Sequence, residues 1–168
     1  MGEIKIFGYI LIVGLLVASI IMPLTEVVFI YRERLMIGDA LYNSCRVAAE
    51  YSYNYNEMRT TDAVSYKNVF LDAFEQAFAS SFDLEIRPRY GNTLHFEPSA
   101  VKRDMYNNFS VEVTFDDDPF GDKTISIVTV EAESYYVFKI RYMRYLNEVG
   151  RIEYELRANR EYVMEVTN

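Results

Sequence analysis

Hydrophobic positions follow three successive patterns along this chain. From Ile6 to Thr25 no side chain carries a charge, and Ile10 to Met22 is apolar almost throughout. A helix of that length rises ~30 Å, the thickness of a bilayer's hydrocarbon core. From Arg32 to about Tyr55 the pattern becomes helical, with Ile37, Leu41, Ser44, Ala48 and Tyr51 on one face. Superimposed on it, Ala40, Ser44, Ala48 and Ser52 recur at every fourth residue. Small side chains at that spacing let another helix or a sheet approach closely. They fit either the domain's own sheet or a helix of a neighbouring subunit. A second helix is expected from Asp62 to about Phe82, capped by Thr61 or Asp62, with Phe70, Phe74, Ala77 and Phe78 as its apolar stripe. Asn54 to Thr61 is the linker between the two.

Beyond Asp83 the period becomes two. Leu84-Ile86 and Leu94-Phe96 flank Tyr90-Gly91-Asn92, which reads as a hairpin. Phe109, Val111, Val113 and Phe115 alternate with polar residues, and Asp116 to Lys123 supplies a turn holding Pro119 and Gly121. The next strand is expected to carry Val128, Val130, Ala132, Tyr136, Phe138 and Ile140 on one face. A last strand carries Ile152, Tyr154, Leu156, Ala158, Tyr162, Met164 and Val166. Such alternation describes an antiparallel sheet with one buried and one wet face. The fold class expected is α+β: a long N-terminal helix, half transmembrane and half soluble, packed on that sheet. Residues 1–31 are expected to form the anchor and residues 32–168 a single α+β domain.

The flanks decide what the apolar segment is. A cleaved secretory signal has a basic leading region, a shorter apolar stretch and a small-residue cleavage site. Here Lys5 is the only base before the apolar run, which continues past Glu26 to Val27-Val28-Phe29-Ile30-Tyr31. An uncleaved anchor is expected, with the lipid bilayer as its first partner. Lys5 on one side and Arg32 with Arg34 on the other leave orientation undecided by charge. Pro23 removes a backbone donor and is expected to bend the helix. Glu26 interrupts the apolar run. It either snorkels to the headgroups or pairs with a basic group inside an assembly.

Composition narrows the rest. The 168 residues carry a formal charge of -8, and beyond residue 31 there are 16 basic and 23 acidic side chains. An acidic domain is a poor nucleic-acid binder. There are 15 tyrosines and 11 phenylalanines but no tryptophan, a load that favours a sheet-rich domain. The single cysteine, Cys45, excludes an internal disulfide and lies on the small-residue side of the helix, where buried packing is expected.

Pro23-Leu24-Thr25-Glu26, followed by Ala40-Leu41-Tyr42-Asn43-Ser44-Cys45-Arg46-Val47-Ala48-Ala49-Glu50, resembles the TadE-like pseudopilins of tight-adherence pilus systems and, more loosely, pilin-like proteins generally. The resemblance covers about the first 55 residues. It implies a bacterial protein with a cytoplasmic N-terminus and an outer domain, serving as a minor component of a pilus or secretion apparatus. Its partners would be other pilin-like subunits or copies of itself. One departure stands out. Prepilin processing of this class uses a glycine before the cut and a glutamate at the fifth mature position, but Phe7 follows Gly2 at that spacing and Val13 follows Gly8.

Chemistry is sparse. His95 is the only histidine and falls on the polar face of its strand. One histidine and one cysteine make no zinc set, Cys-His dyad or Ser-His-Asp triad. Asp116-Asp117-Asp118 with Asp122 clusters hard oxygen ligands in a turn, but lacks the spacing of a calcium loop. Tyr135 to Tyr145 interleaves aromatics with Lys139, Arg141 and Arg144, expected as a mixed strand face suited to protein contact. No cofactor, metal or small-molecule substrate is expected. The function expected is that of a membrane-anchored structural subunit, with Glu26, Ala40, Ser44, Ala48 and Ser52 at its assembly interface. The alternative is a solitary single-pass anchored binding or sensor domain, indifferent to Glu26.

Overall fold

The computed structural model describes residues 2–52, 67–117, 125–150 and 153–165. Helix α1 runs from Gly2 to Ser52 and α2 from Lys67 to Phe82. Strands β1 (Leu84–Tyr90), β2 (Thr93–Pro98), β3 (Phe109–Asp117) and β4 (Ile125–Tyr135) follow. A third helix, α3 (Arg141–Gly150), precedes β5 (Glu155–Glu165). The five strands form one antiparallel sheet in the order β1-β2-β3-β4-β5. The class is α+β, with a long N-terminal helix on an antiparallel sheet.

The two halves of α1 differ sharply. Its most apolar stretch has a mean hydropathy of 2.5 and buries none of its residues, and it is long and apolar enough to cross a membrane. The helix continues unbroken through Pro23. From Glu26, which is buried, the helix turns one face inward: Glu33, Ile37, Ala40, Leu41, Ser44, Cys45, Ala48 and Ser52.

The two long helices lie side by side on one face of the sheet, α1 over β4 and β5 and α2 over β1 and β2. Phe70, Phe74, Phe78 and Phe82, one per turn of α2, form a ladder whose successive rings stand 5.5–6.3 Å apart. Phe78 also meets Phe96 at 5.1 Å and Phe109 at 5.8 Å. Each buried ring of this kind contributes roughly 2–3 kcal/mol. Val111, Val113, Val128, Val130, Leu156, Ala158 and Met164 complete the core at period two. Asp83 adopts φ 56° at the junction from α2 to β1, a left-handed residue that ends the helix. Gly91 at φ 63° lets the short β1–β2 turn close. Pro88 lies in β1, the sheet's edge strand, where a missing N–H costs no ladder bond.

One inward position of β5 is charged. Arg160 stands between Ala158 and Tyr162 on the inward side of β5, and a Cβ on Gly38 would fall on its guanidinium. The bare backbone of α1 makes room for the arginine. The same pairing, with Tyr42 against Tyr162 at 5.5 Å, shows that β5 runs alongside α1 in the same direction.

Two expectations need correction. The strand expected to carry Tyr136, Phe138 and Ile140 ends at Tyr135, although Tyr136 and Phe138 are still buried. The aromatic and basic run after it belongs largely to α3, not to a strand face. Helix α2 is described from Lys67. The linker Asn54 to Thr61, the expected start at Asp62, Pro119, Gly121, Ile152 and Val166 lie outside the described residues.

Candidate functional site

A dense polar cluster sits where the exposed half of α1 meets the domain. Glu26 is only 1% exposed. Its Oε1 accepts hydrogen bonds from the Tyr136 hydroxyl at 2.8 Å and the Lys139 backbone N–H at 2.6 Å. Its Oε2 accepts from the Ile140 N–H at 3.1 Å. The Ile140 carbonyl in turn accepts from the Arg144 N–H at 2.9 Å, the first helical bond of α3. Ile140 is thus the N-cap of α3 and has no side-chain acceptor of its own. Glu26, reaching across from α1, supplies the negative group that a helix N-terminus favours.

Two turns further along α1, Glu33 pairs with the Lys139 ammonium at 3.2 Å. That ammonium also donates to the Met105 carbonyl and lies over the rings of Tyr106 and Tyr136, 5.3 and 5.2 Å from their centroids. Burial holds the Glu33 carboxyl above its ordinary range, against the opposing pull of Lys139, and the nearby Glu26 adds to the rise. Burial, and then the hydrogen bond to Glu26, push the Tyr136 phenol well up, so it stays a donor. The cluster is a joint: both Glu26 oxygens, the Tyr136 hydroxyl and the Lys139 ammonium are engaged in it.

The five residues expected at an assembly interface are all placed within this subunit. Glu26 is 1% exposed, Ala40 7%, Ser44 1%, Ala48 0% and Ser52 1%. The small-residue face packs on the chain's own domain, and Glu26 finds its donors in its own chain. Ser52 donates to the Ala49 carbonyl at 3.1 Å, while the Ser44 hydroxyl has no hydrogen-bond partner among the described residues. Sequence reading missed Tyr136, Lys139 and Ile140 as the partners of Glu26. A local signal for α3 existed, since Tyr142, Tyr145, Leu146 and Val149 follow a helical spacing.

The outer face of the sheet is wet. His95 sits there half-buried, its ring 5.8 Å from that of Tyr90. Arg87 bridges Glu97 and Glu85, and Arg157 bridges Glu133 and Glu155, at 2.7–3.3 Å. Exposed pairs of this kind contribute little to stability. A cleft of about 520 Å³ opens at one end of this face, lined in part by His95, Ser110, Glu133, Asn147 and Glu155. Among the described residues no group of three or more His, Cys, Asp or Glu side chains is placed to hold a metal. Asp118 and Asp122 of the acidic turn lie outside them. Cys45 is fully buried, and burial pushes its thiol up to about 12.

Comparison with protein-family models, with curated proteins and with solved structures finds no match to this chain.

Proposed function

We propose that this protein is a membrane-anchored structural subunit of a bacterial envelope assembly, pilin-like in plan and belonging to a pilus or secretion apparatus. The observation that carries this reading is the continuity of α1, whose bare apolar half passes without a break into a half that forms the domain's core. A domain displayed for solitary binding needs only a loose tether. A helix that leaves the bilayer and becomes the core holds its domain at one height and one angle, which side-by-side packing of subunits requires. The N-terminus lies in the cytoplasm and the domain outside, and the subunit works by packing rather than by catalysis.

Because Glu26 and the small-residue face are used internally, lateral contacts fall to the outward side of α1. Tyr31, Leu35, Asp39 and Arg46 share one exposed helical face there. Single cysteines at Leu35, Asp39 and Arg46 of the full-length protein in native membranes test this. Crosslinks to itself or to one defined partner, repeating with the helical period, are expected. If the protein stays in the membrane fraction and no position crosslinks, the second reading takes over. That reading, an anchored binding domain, is favoured by the polar cleft on the wet face of the sheet.

A further inference from the structure

Helix α3 has three sides. At ~100° per residue, Met143 and Asn147 face the domain and are half-buried, whereas Arg141 and Glu148 face solvent. Arg144, on the same side as these two, reaches back to donate from its Nε to the Phe138 carbonyl at 3.2 Å. The third side carries Tyr142, Tyr145, Leu146 and Val149, which are 52%, 62%, 37% and 66% exposed. These four fall at i, i+3, i+4 and i+7, a continuous apolar stripe. None of α3 is buried. An amphipathic helix in a soluble domain turns such a stripe onto its core, yet this one leaves it uncovered.

The position of α3 indicates what covers it. Strand β5 runs alongside α1 in the same direction, with Arg160 over Gly38 and Tyr162 against Tyr42. The start of β5 at Glu155 and the end of β4 at Tyr135 are therefore the end of the sheet nearest Glu26. Helix α3 connects these two ends. Its N-terminus is held by Glu26, the residue that immediately follows the charge-free stretch of α1. Held there, the stripe lies at the end of the domain where α1 would leave a bilayer.

We propose that α3 is an interfacial helix, lying on the outer surface of the bilayer with Tyr142, Tyr145, Leu146 and Val149 among the headgroups and upper acyl chains. Tyrosines suit that zone because the ring is apolar and the hydroxyl stays wet. Arg141 and Arg144 against Glu148 give the helix a net positive charge inside an acidic domain, which favours an anionic surface. The Glu26 joint then does two jobs: it caps α3 and sets its depth relative to α1. The lipid contact gives the domain a second foothold and fixes its tilt. The assignment rests on α1 spanning a bilayer.

The test uses full-length protein in vesicles of phosphatidylcholine with a minor share of phosphatidylglycerol. Single cysteines at Tyr145, Val149 and Glu148, and a reference at Val13, carry nitroxide labels. Accessibility to oxygen is compared with accessibility to a water-soluble nickel complex. The expected result is an oxygen-to-nickel ratio several-fold higher at residues 145 and 149 than at 148, with residue 13 higher still. Ratios at 145 and 149 equal to that at 148, with residue 13 in hydrocarbon, would overturn the assignment and leave the anchor standing. An aqueous reading at residue 13 would overturn both. Low accessibility to both reagents at 145 and 149, with dipolar coupling between labelled copies, would mean that a second chain covers the stripe, and would also overturn it.

Discussion

The Glu26 carboxylate and the Tyr136 hydroxyl meet at 2.8 Å across 110 residues of chain. This contact joins the last turn of the apolar half of α1 to the loop that launches α3. It converts a residue that looks out of place in an apolar run into the point where the apolar half of α1 and the domain are locked together.

Replacing Glu26 with Gln leaves one acceptor oxygen and points an amide group at a buried donor. A buried donor left without a partner costs ~1–3 kcal/mol. The Glu26→Gln protein is therefore expected to unfold at lower denaturant than the parent in detergent micelles, and Tyr136→Phe to be milder. A double-mutant cycle in which the two losses simply add would show that the contact contributes nothing.

The Glu33–Lys139 pair sets a pH dependence. Because the Glu33 carboxyl is raised in the folded protein, the native state holds its proton more tightly than the unfolded chain does. Its contribution to stability is therefore greatest below the ordinary value of 4.5 and declines as pH rises through the raised one. Lys139→Met removes the group that pulls the carboxyl down, so the decline should deepen and extend to higher pH. Melting temperatures of parent, Lys139→Met and Glu33→Gln across that range check this. An identical pH slope in Glu33→Gln and parent would remove Glu33 as its source.

Ser44 separates internal packing from a subunit contact. Its buried hydroxyl has no partner among the described residues, so Ser44→Ala should be neutral or stabilising by up to ~1 kcal/mol. Ser44→Leu overfills the space between α1 and the domain core and should cost ~1–3 kcal/mol. Denaturant melts of the two variants decide it. A harmless leucine would mean that the face is open.

Cys45 should be inert in the folded protein. Burial leaves its thiol inaccessible and pushes it up to about 12, so almost no thiolate exists at neutral pH. Maleimide labelling is expected to be negligible in detergent micelles and complete after denaturation. Rapid labelling of the native protein would place a channel beside α1.

How much of this was legible before folding depends on whether the signal is local. The charge-free run, the helical period after Arg32, the phenylalanine stripe of α2 and the alternation of β3 are properties of neighbouring residues, and each became the element expected. The class, a long helix on an antiparallel sheet, follows from them because an apolar stripe and an apolar sheet face must cover one another. The same local reasoning failed between Tyr136 and Gly150. Tyr136 and Phe138 are buried at a spacing of two, which extended the strand pattern past its end, while the helical spacing of Tyr142, Tyr145, Leu146 and Val149 began just beyond.

Other features were open until the chain was folded. The residues from Ala40 to Ser52 are equally suited to the chain's own core or to a neighbour, since small side chains specify a close approach and not its source. The structure turns them inward. Glu26 announced a need for partners by its place in an apolar run, but a carboxylate accepts from any donor, and nothing near it in the chain says which. Only the path of β4 and β5 along α1 brings Tyr136, Lys139 and Ile140 to it. Sequence by itself determined where this protein is apolar and with what period, because those quantities are written residue by residue. Tertiary structure alone decided which groups satisfy one another, because that depends on distances between parts of the chain that share no local pattern.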